Sequence, residues 1–450
     1  MSSLLQPELG RALDRLATVP PHAIYGRVTR IIGQVVEASS LEVSLGEICR
    51  IQNANAPRVT AVVCGFHDRG ILLMPLRDLH GVHPGARVEP LGRSLEVNVG
   101  DGLIGRVLDG LGKPMDNLGP VGRSVTYPLH ADPPHPLERK RINRPLATGV
   151  RTIDGLISIG RGQRVGIMAG SGVGKSVLLG MIAKRTTADV NVIALLGERG
   201  REVREFIERD LGPEGLARSV LIVATSDQSA VVRATGALVA TTIAEYFRDQ
   251  GRDVLLMVDS ITRVAMAWRE TGLAVGEPPT TKGYPPSVFA QLPRLLERAG
   301  AGVRGSITGL YTVLVEGDDF NEPVADSARS ILDGHIVLTR KMAAAKHFPA
   351  IDALESVSRV RDDVVDPEQL ESANLLLRLE AAYRGAEDLI QVGAYKTGAD
   401  KLVDAAIALR PELLLFLRQR ADERSSFEET RSACLALARR AQALINARTG

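Results

Sequence analysis

Val165-Gly166-Ile167-Met168-Ala169-Gly170-Ser171-Gly172-Val173-Gly174-Lys175-Ser176-Val177-Leu178-Leu179 passes from a short apolar run, through a loop with three glycines, into a helix-forming segment. A phosphate-binding loop works in this strand–loop–helix context. Glycines let successive backbone N–H groups turn inward on an anion, and the next helix adds its free amides and the positive end of its dipole. Lys175 is placed to reach β- and γ-phosphates, and the Ser176 hydroxyl to ligate Mg²⁺. The pattern departs from GxxxxGK[ST] at one position, where Ala169 replaces the first glycine. The bland alternative is a glycine-rich turn, but the placement of Lys-Ser and both flanks favours nucleotide binding.

Outward from this loop, strands and helices alternate. Val190–Leu196 ends at Gly197-Glu198-Arg199, Val220–Ala224 precedes a helix over Ser229–Gln250, Val254–Val258 ends at Asp259, and Tyr311–Val315 ends at Glu316-Gly317-Asp318-Asp319. Continuous Val/Ile/Leu strands separated by helices predict a parallel sheet covered on both faces, with ligand beyond the strands' carboxyl ends. Asp259 is expected at an exposed strand tip as a Mg²⁺-directed carboxylate, the alternative being a turn starter. Glu198 is the candidate general base, although its charged segment also reads as a salt-bridged surface turn. Charge on a transferring phosphoryl group calls for an arginine, with Arg263 and Arg359 as candidates.

Four segments are expected. Residues 1–22 hold an amphipathic helix (Leu5, Leu9, Leu13, Leu16), either packed on its own domain or docking a partner. Residues 23–92 read as a small β-barrel, with β-rich runs Arg27–Val36, Leu41–Ile51, Ala61–Phe66, Ile71–Leu76 and Arg87–Leu91. Residues 93–365 form the α/β core behind an extended Pro- and Gly-rich linker. Residues 366–450 are helical, starting at Asp366-Pro367-Glu368-Gln369 and broken near Gly393, Gly398 and Pro411.

Composition narrows the function. A chain of 450 residues with net charge +2 carries no global signal for nucleic acid or an anionic membrane. The run Arg139-Lys140-Arg141 reads as a solvated linker. Cys49, Cys64 and Cys434 lack CxxC spacing and read as small hydrophobes in a reducing compartment. His80 and His83 lack an obvious third ligand for zinc. No secretory signal or membrane-length apolar run is visible, which points to the cytoplasm.

Ala169-Gly170-Ser171-Gly172-Val173-Gly174-Lys175-Ser176, Gly197-Glu198-Arg199-Gly200-Arg201-Glu202, Asp259-Ser260-Ile261-Thr262-Arg263, and Gly276-Glu277-Pro278-Pro279 through Gly283–Phe289 closely resemble the type III protein-export ATPases. So do Val315-Glu316-Gly317-Asp318-Asp319-Phe320-Asn321-Glu322-Pro323 and Pro349–Arg359. These enzymes are relatives of the rotary ATP synthase catalytic subunit, and the resemblance runs from about residue 24 to the C-terminus. Ala169 looks like the usual start of the loop in the export branch. The resemblance implies a β-barrel, a RecA-like P-loop core and a C-terminal helical domain, assembled as a homohexamer with ATP and Mg²⁺ between subunits. By position, Glu198 resembles the water-activating glutamate, Arg199 and Arg263 phosphate-side or interface arginines, and Arg359 the finger inserted into a neighbour's site. Phe348 matches the aromatic that stacks on adenine, in place of a tyrosine. The second aromatic of the base clamp aligns with Ala421, which leaves open whether the clamp is two-sided.

Glu198 distinguishes the chain from non-catalytic synthase-type subunits. Tyr25-Gly26-Arg27-Val28 and the preceding leucine-rich helix look more flagellar than injectisome-like. The resemblance implies a motor at the inner face of the cell membrane that releases export substrates from chaperones. Its implied partners are a dimeric stator-like regulator on the N-terminal helix, a central stalk-like protein, export-gate membrane proteins and chaperone–cargo complexes, with no nucleic acid. A rotary synthase subunit and a RecA-like RNA translocase are the rival classes.

Overall fold

Gly33-Gln34 turns the chain back on itself, so the first β-rich run forms two strands, β1 (Gly26–Ile32) and β2 (Val35–Ser39). The computed structural model describes residues 24–52, 57–68, 70–315 and 322–447, and the expected helix over 1–22 lies outside them. The second run contributes only β3 (Glu47–Gln52), because Ser44–Gly46 turn, with the Ser44 N–H donating to the Glu47 carboxylate at 3.0 Å. With β4 (Val59–His67), β5 (Gly70–Pro75) and β6 (Arg87–Ser94) they close a barrel in the order β1-β2-β5-β4-β3-β6. Alternate side chains fill it, among them Val28, Val36, Cys49, Ile51, Val63 and Leu73.

The chain divides after Leu95 into two compact units, the barrel and everything from Glu96 onward. The second unit begins within the supposed linker, which is structured. β7 (Glu96–Val99) pairs with β9 (Val125–Pro128), and between them β8 (Val107–Asp109) joins the edge of the central sheet. Arg139 is likewise anchored rather than solvated, donating to the Ala299 carbonyl at 2.9 Å and the Glu297 carboxylate at 3.1 Å.

The central sheet continues with β10 (Arg164–Ala169), β11 (Val190–Leu196), β12 (Ser219–Ala224), β13 (Asp253–Asp259), β14 (Gly300–Ala301), β15 (Ser306–Leu314), β16 (Gly334–Leu338) and β17 (Ile351–Ser358). Its order is β17-β16-β10-β15-β13-β11-β12-β8, with β14 beside β15. The expected all-parallel sheet is corrected at two places. β14 runs antiparallel to β15, and β17 antiparallel to β16, pairing Gly334 with Ser358 and Leu338 with Ile351. The remaining strands are parallel, and their carboxyl ends gather Gly170, Glu198, Asp259, Val315 and Arg340 at one edge.

One buried charge pair fixes the helix Ala230–Asp249 to the rest of the core. Arg298 donates to the Glu245 carboxylate (Nε–Oε1 2.9 Å), to the Leu129 carbonyl (2.7 Å) and to Thr242 Oγ1 (2.9 Å), and both charged residues are buried. Arg298→Leu leaves the carboxylate unpaired and should cost about 3–5 kcal/mol of unfolding free energy, whereas a Leu pair at both positions should recover most of it. Denaturant titration checks this; equal losses in the single and double variants would contradict it.

The C-terminal helices Pro367–Gln391, Lys401–Leu417 and Phe427–Ala447 pack around Leu376, Leu379, Leu409, Leu413, Phe416 and Cys434. Asp366 caps the first of them, accepting from the Gln369 N–H at 2.9 Å. Pro411 does not break the second helix but lies inside it. Leu409 and Leu413 on either side are buried in the bundle, so apolar packing outweighs the backbone hydrogen bond that proline removes. Among the described residues no helix is long and apolar enough to cross a membrane.

Candidate nucleotide site

The loop after β10 turns where its glycines permit. Gly172 and Gly174 take φ of +79° and +90°, and Gly174 opens the helix Lys175–Arg185 from a left-handed conformation. Ser171 and Gly172 are exposed, while Ala169 and Val173 are buried as the loop's anchors. The loop, Lys175, Ser176 and Val177 line one wall of a cavity of about 830 Å³.

Sheet register supplies the facing wall. β11 and β13 are neighbours with Leu195 opposite Asp259, so Glu198 and Asp259 emerge side by side. Asp259 is 3% exposed, which corrects the expected exposed tip. The Lys175 ammonium covers it in a close ion pair, and Thr312 donates to its Oδ1 at 2.7 Å. The Glu198 Oε1 lies 3.6 Å from Lys175 Nζ and 3.4 Å from Arg263 Nε. Gly197 makes room for this arginine: its φ is +73°, and a Cβ there would lie 2.7 Å from Arg263 Cδ.

The charged segment therefore splits between its two readings. Glu198 points inward, its side chain 12% exposed, while Arg199, Arg201 and Arg204 stand in solvent beside Glu202, Glu205 and Glu208. Burial pushes the Glu198 carboxyl above its ordinary pKa, against the pull of Lys175. It hydrogen-bonds Glu202, which is held below the usual carboxylate range by accepting that bond. A carboxyl raised by burial is a stronger base than an ordinary one, which suits it to take a proton in the reaction. Arg199 lines the same cavity but is 82% exposed.

A second, apolar cavity of about 1340 Å³ adjoins the first through Gly174 and Val177. Phe348 lines it, 41% exposed, its ring 3.6 Å from where a Gly174 Cβ would stand. Ala421, Leu415, Phe416 and Leu437 face it from the helical domain. Gln419 holds that wall in place: its N–H donates to the Phe348 carbonyl (2.9 Å), its side-chain amide donates to the Gly149 carbonyl (2.8 Å) and accepts from the Arg151 N–H (2.9 Å). Arg151 adds a bond to the Phe416 carbonyl at 2.9 Å and an ion pair with Glu423. Neither Arg151 nor Gln419 was signalled by the sequence, since they meet across 268 residues.

Arg359 is not brought to this site. It follows β17 at the sheet edge, is exposed, and makes its side-chain bond to the Arg329 carbonyl at 3.5 Å. It follows Ser358, the antiparallel partner of Gly334, which lies four residues along β16 from Leu338, the partner of Ala169. That is about 13 Å along the strand, at the opposite end of the sheet from the phosphate loop.

A RecA-like sheet carrying a Gly-rich loop, a buried lysine–carboxylate cluster and an adjoining apolar pocket defines a P-loop nucleotide-hydrolysing domain. The nucleotide-binding domain of the ATP synthase alpha/beta family matches residues 149–358, that family's beta-barrel domain residues 28–92, and the T3SS EscN ATPase C-terminal domain residues 365–435. The flagellum-specific ATP synthase of Bacillus subtilis is 52% identical over 94% of this chain and 98% of its own. The type 3 secretion system ATPase of Xanthomonas euvesicatoria is 50% identical over 94% and 96%. The assembled ATPase EscN of the enteropathogenic Escherichia coli type III secretion system superposes with TM-score 0.86 at 45% identity, covering 92% of this chain and all of that one. The chain belongs to the type III export and flagellar ATPases, relatives of the ATP synthase alpha and beta subunits, and it is an ATPase.

Proposed function

We propose that the chain is the ATP-hydrolysing motor of a flagellar export apparatus, working as a homohexamer at the cytoplasmic face of the membrane. The observation that carries the chemistry is the convergence of Lys175, Glu198, Asp259 and Arg263 on one cavity beside the Gly-rich loop. The loop amides of Gly170 to Val177 bind the phosphates, and Phe348 stacks on the base opposite Ala421. A phosphate chain in the loop draws the Lys175 ammonium from Asp259, leaving that carboxylate available. Glu198 takes a proton from the attacking water, and Arg263 with Arg199 stabilises charge on the phosphate side.

The residues present fit Mg²⁺. Ser176 and Asp259 offer hard oxygen donors, and no group of three or more His, Cys, Asp or Glu able to hold a metal occurs among the described residues. An ion that arrives with substrate phosphates needs one or two protein oxygens and no all-protein cage. When bound, it would offset negative charge on the phosphate oxygens.

The placement of Arg359, exposed and away from its own phosphate loop, fits an arginine that acts on a neighbour's loop and so supports assembly. EscN has been solved assembled and with its central stalk EscO, which supports a ring around a stalk-like protein here. Export-gate proteins, chaperone–cargo complexes and a stator-like dimer bound through residues 1–22 complete the reading. Flagellar and type 3 secretion relatives are equally similar, so the flagellar choice rests on Tyr25-Gly26-Arg27-Val28. Tyr25 stays half-exposed on the barrel, its ring 4.0 Å beneath the Arg87 guanidinium. Disrupting the gene should abolish filament assembly, with rescue by the wild-type chain and not by Lys175→Ala. Normal filaments in the disrupted strain would contradict the flagellar reading.

A further inference from the structure

Sheet register places one further cation at the phosphate loop. Ala169 at the end of β10 lies between Leu314 of β15 and Leu338 of β16. Arg340, two residues beyond Leu338, therefore emerges beside Gly170. Its backbone is fixed, because the Thr339 N–H donates to the Ala350 carbonyl at 3.0 Å and the Thr339 hydroxyl accepts from the Met342 N–H at 3.3 Å. The guanidinium lies against the loop: a Cβ on Gly170 would stand 2.9 Å from Arg340 Nε and 3.1 Å from Nη2.

We infer that Arg340 is a phosphate-binding residue that holds the terminal phosphate of a nucleoside triphosphate. The inference rests on the reading of this loop as a nucleotide site. Arg340 lines the cavity that contains Lys175 and Glu198, and among the described residues it has no carboxylate partner and no side-chain hydrogen bond. A guanidinium without such a partner among the described residues has its five donors, in a planar fork, open to phosphate oxygens.

The direction of the bound nucleotide follows from the two cavities. The apolar one, with Phe348, meets the polar one at Gly174 and Val177. A phosphate chain leaving the base there runs along the loop toward Gly170, and its far end arrives beside Arg340. A triphosphate reaches one phosphate further along the loop than a diphosphate does. Arg340 thereby distinguishes substrate from product.

Equilibrium binding to the full-length protein tests this, with ADP and an ATP analogue carrying a non-hydrolysable β,γ-bridge as probes. Arg340→Gln should weaken the triphosphate analogue about tenfold or more and ADP by less than about twofold, with partial recovery in Arg340→Lys. Equal weakening of both nucleotides would assign Arg340 to packing of the loop and overturn the inference, as would unchanged affinity for the analogue. If Arg340→Gln does not fold, the same comparison is read from Arg340→Lys, where selective loss for the triphosphate supports the inference and parallel loss defeats it. Wild-type protein that binds neither probe would overturn the nucleotide reading itself; wild-type binding with an unchanged ratio in the variant would overturn the role of Arg340 alone.

Discussion

Glu198→Gln is expected to bind ATP with little change in affinity and to lose turnover by about 10²–10⁴-fold. The glutamine keeps the volume and one acceptor of the carboxylate, so the packing against Arg263 and over Gly197 remains. Lys175 keeps its stronger partner, Asp259, which Thr312 also holds. What disappears is the group able to take a proton. Because burial raises the Glu198 pKa, the wild-type rate should fall with decreasing pH earlier than an ordinary carboxylate would dictate. The carboxyl is protonated below that pKa and cannot act as a base, so activity is lost as pH falls through it. The residual rate of the Gln variant should lack this limb. Measuring nucleotide affinity and turnover across pH separates the outcomes, and near-normal hydrolysis in the variant would remove Glu198 as the base.

Arg359→Ala should cost about 10³-fold or more in turnover, a loss typical of an arginine that stabilises transferring phosphoryl charge from another chain. Its position makes the prediction unusual. The side chain is exposed, pairs with no carboxylate among the described residues, and stands at the far end of the sheet from its own loop. Removing it should therefore leave folding and nucleotide affinity near wild type, since no buried partner is orphaned. A stability loss comparable to that of a core substitution would argue that Arg359 acts within its own subunit. Wild-type subunits mixed into Arg359→Ala rings should restore part of the activity by donating the arginine to mutant neighbours.

How far the sequence carried this account depended on whether a feature was local. The loop, the Lys175–Ser176 pair and the strand ends at Glu198 and Asp259 were legible, because glycine turns and runs of Val, Ile and Leu are written in consecutive residues. The general position of barrel, sheet and helical bundle followed from the same periodicities. Arg340 was not legible: it reaches Gly170 only because β10 and β16 are neighbours in register, a relation between residues 170 positions apart. Arg151 and Gln419 were missed for the same reason. The reversal of β17 also escaped: Ile351–Ser358 mixes Asp352, Glu355, Ser356 and Ser358 with its apolar residues and lacks the continuous Val/Ile/Leu run that marked the other strands. Pro411 misled in the other direction, because a local helix-breaking rule was overridden by the apolar bundle around Leu409 and Leu413. Phe348 was legible only by resemblance, and its half-exposed ring in an apolar cavity gives that assignment a physical basis.

The central claim is that each chain carries half of an active site, with the base at one end of its sheet and the arginine at the other. Mixing two inactive variants tests it most directly. Glu198→Gln subunits retain Arg359, and Arg359→Ala subunits retain Glu198, so interfaces that join them in the right order contain both groups. The account predicts ATP hydrolysis in the mixture well above the sum of the two variants measured separately. Turnover no greater than that sum, with mixed rings shown to form, would contradict it.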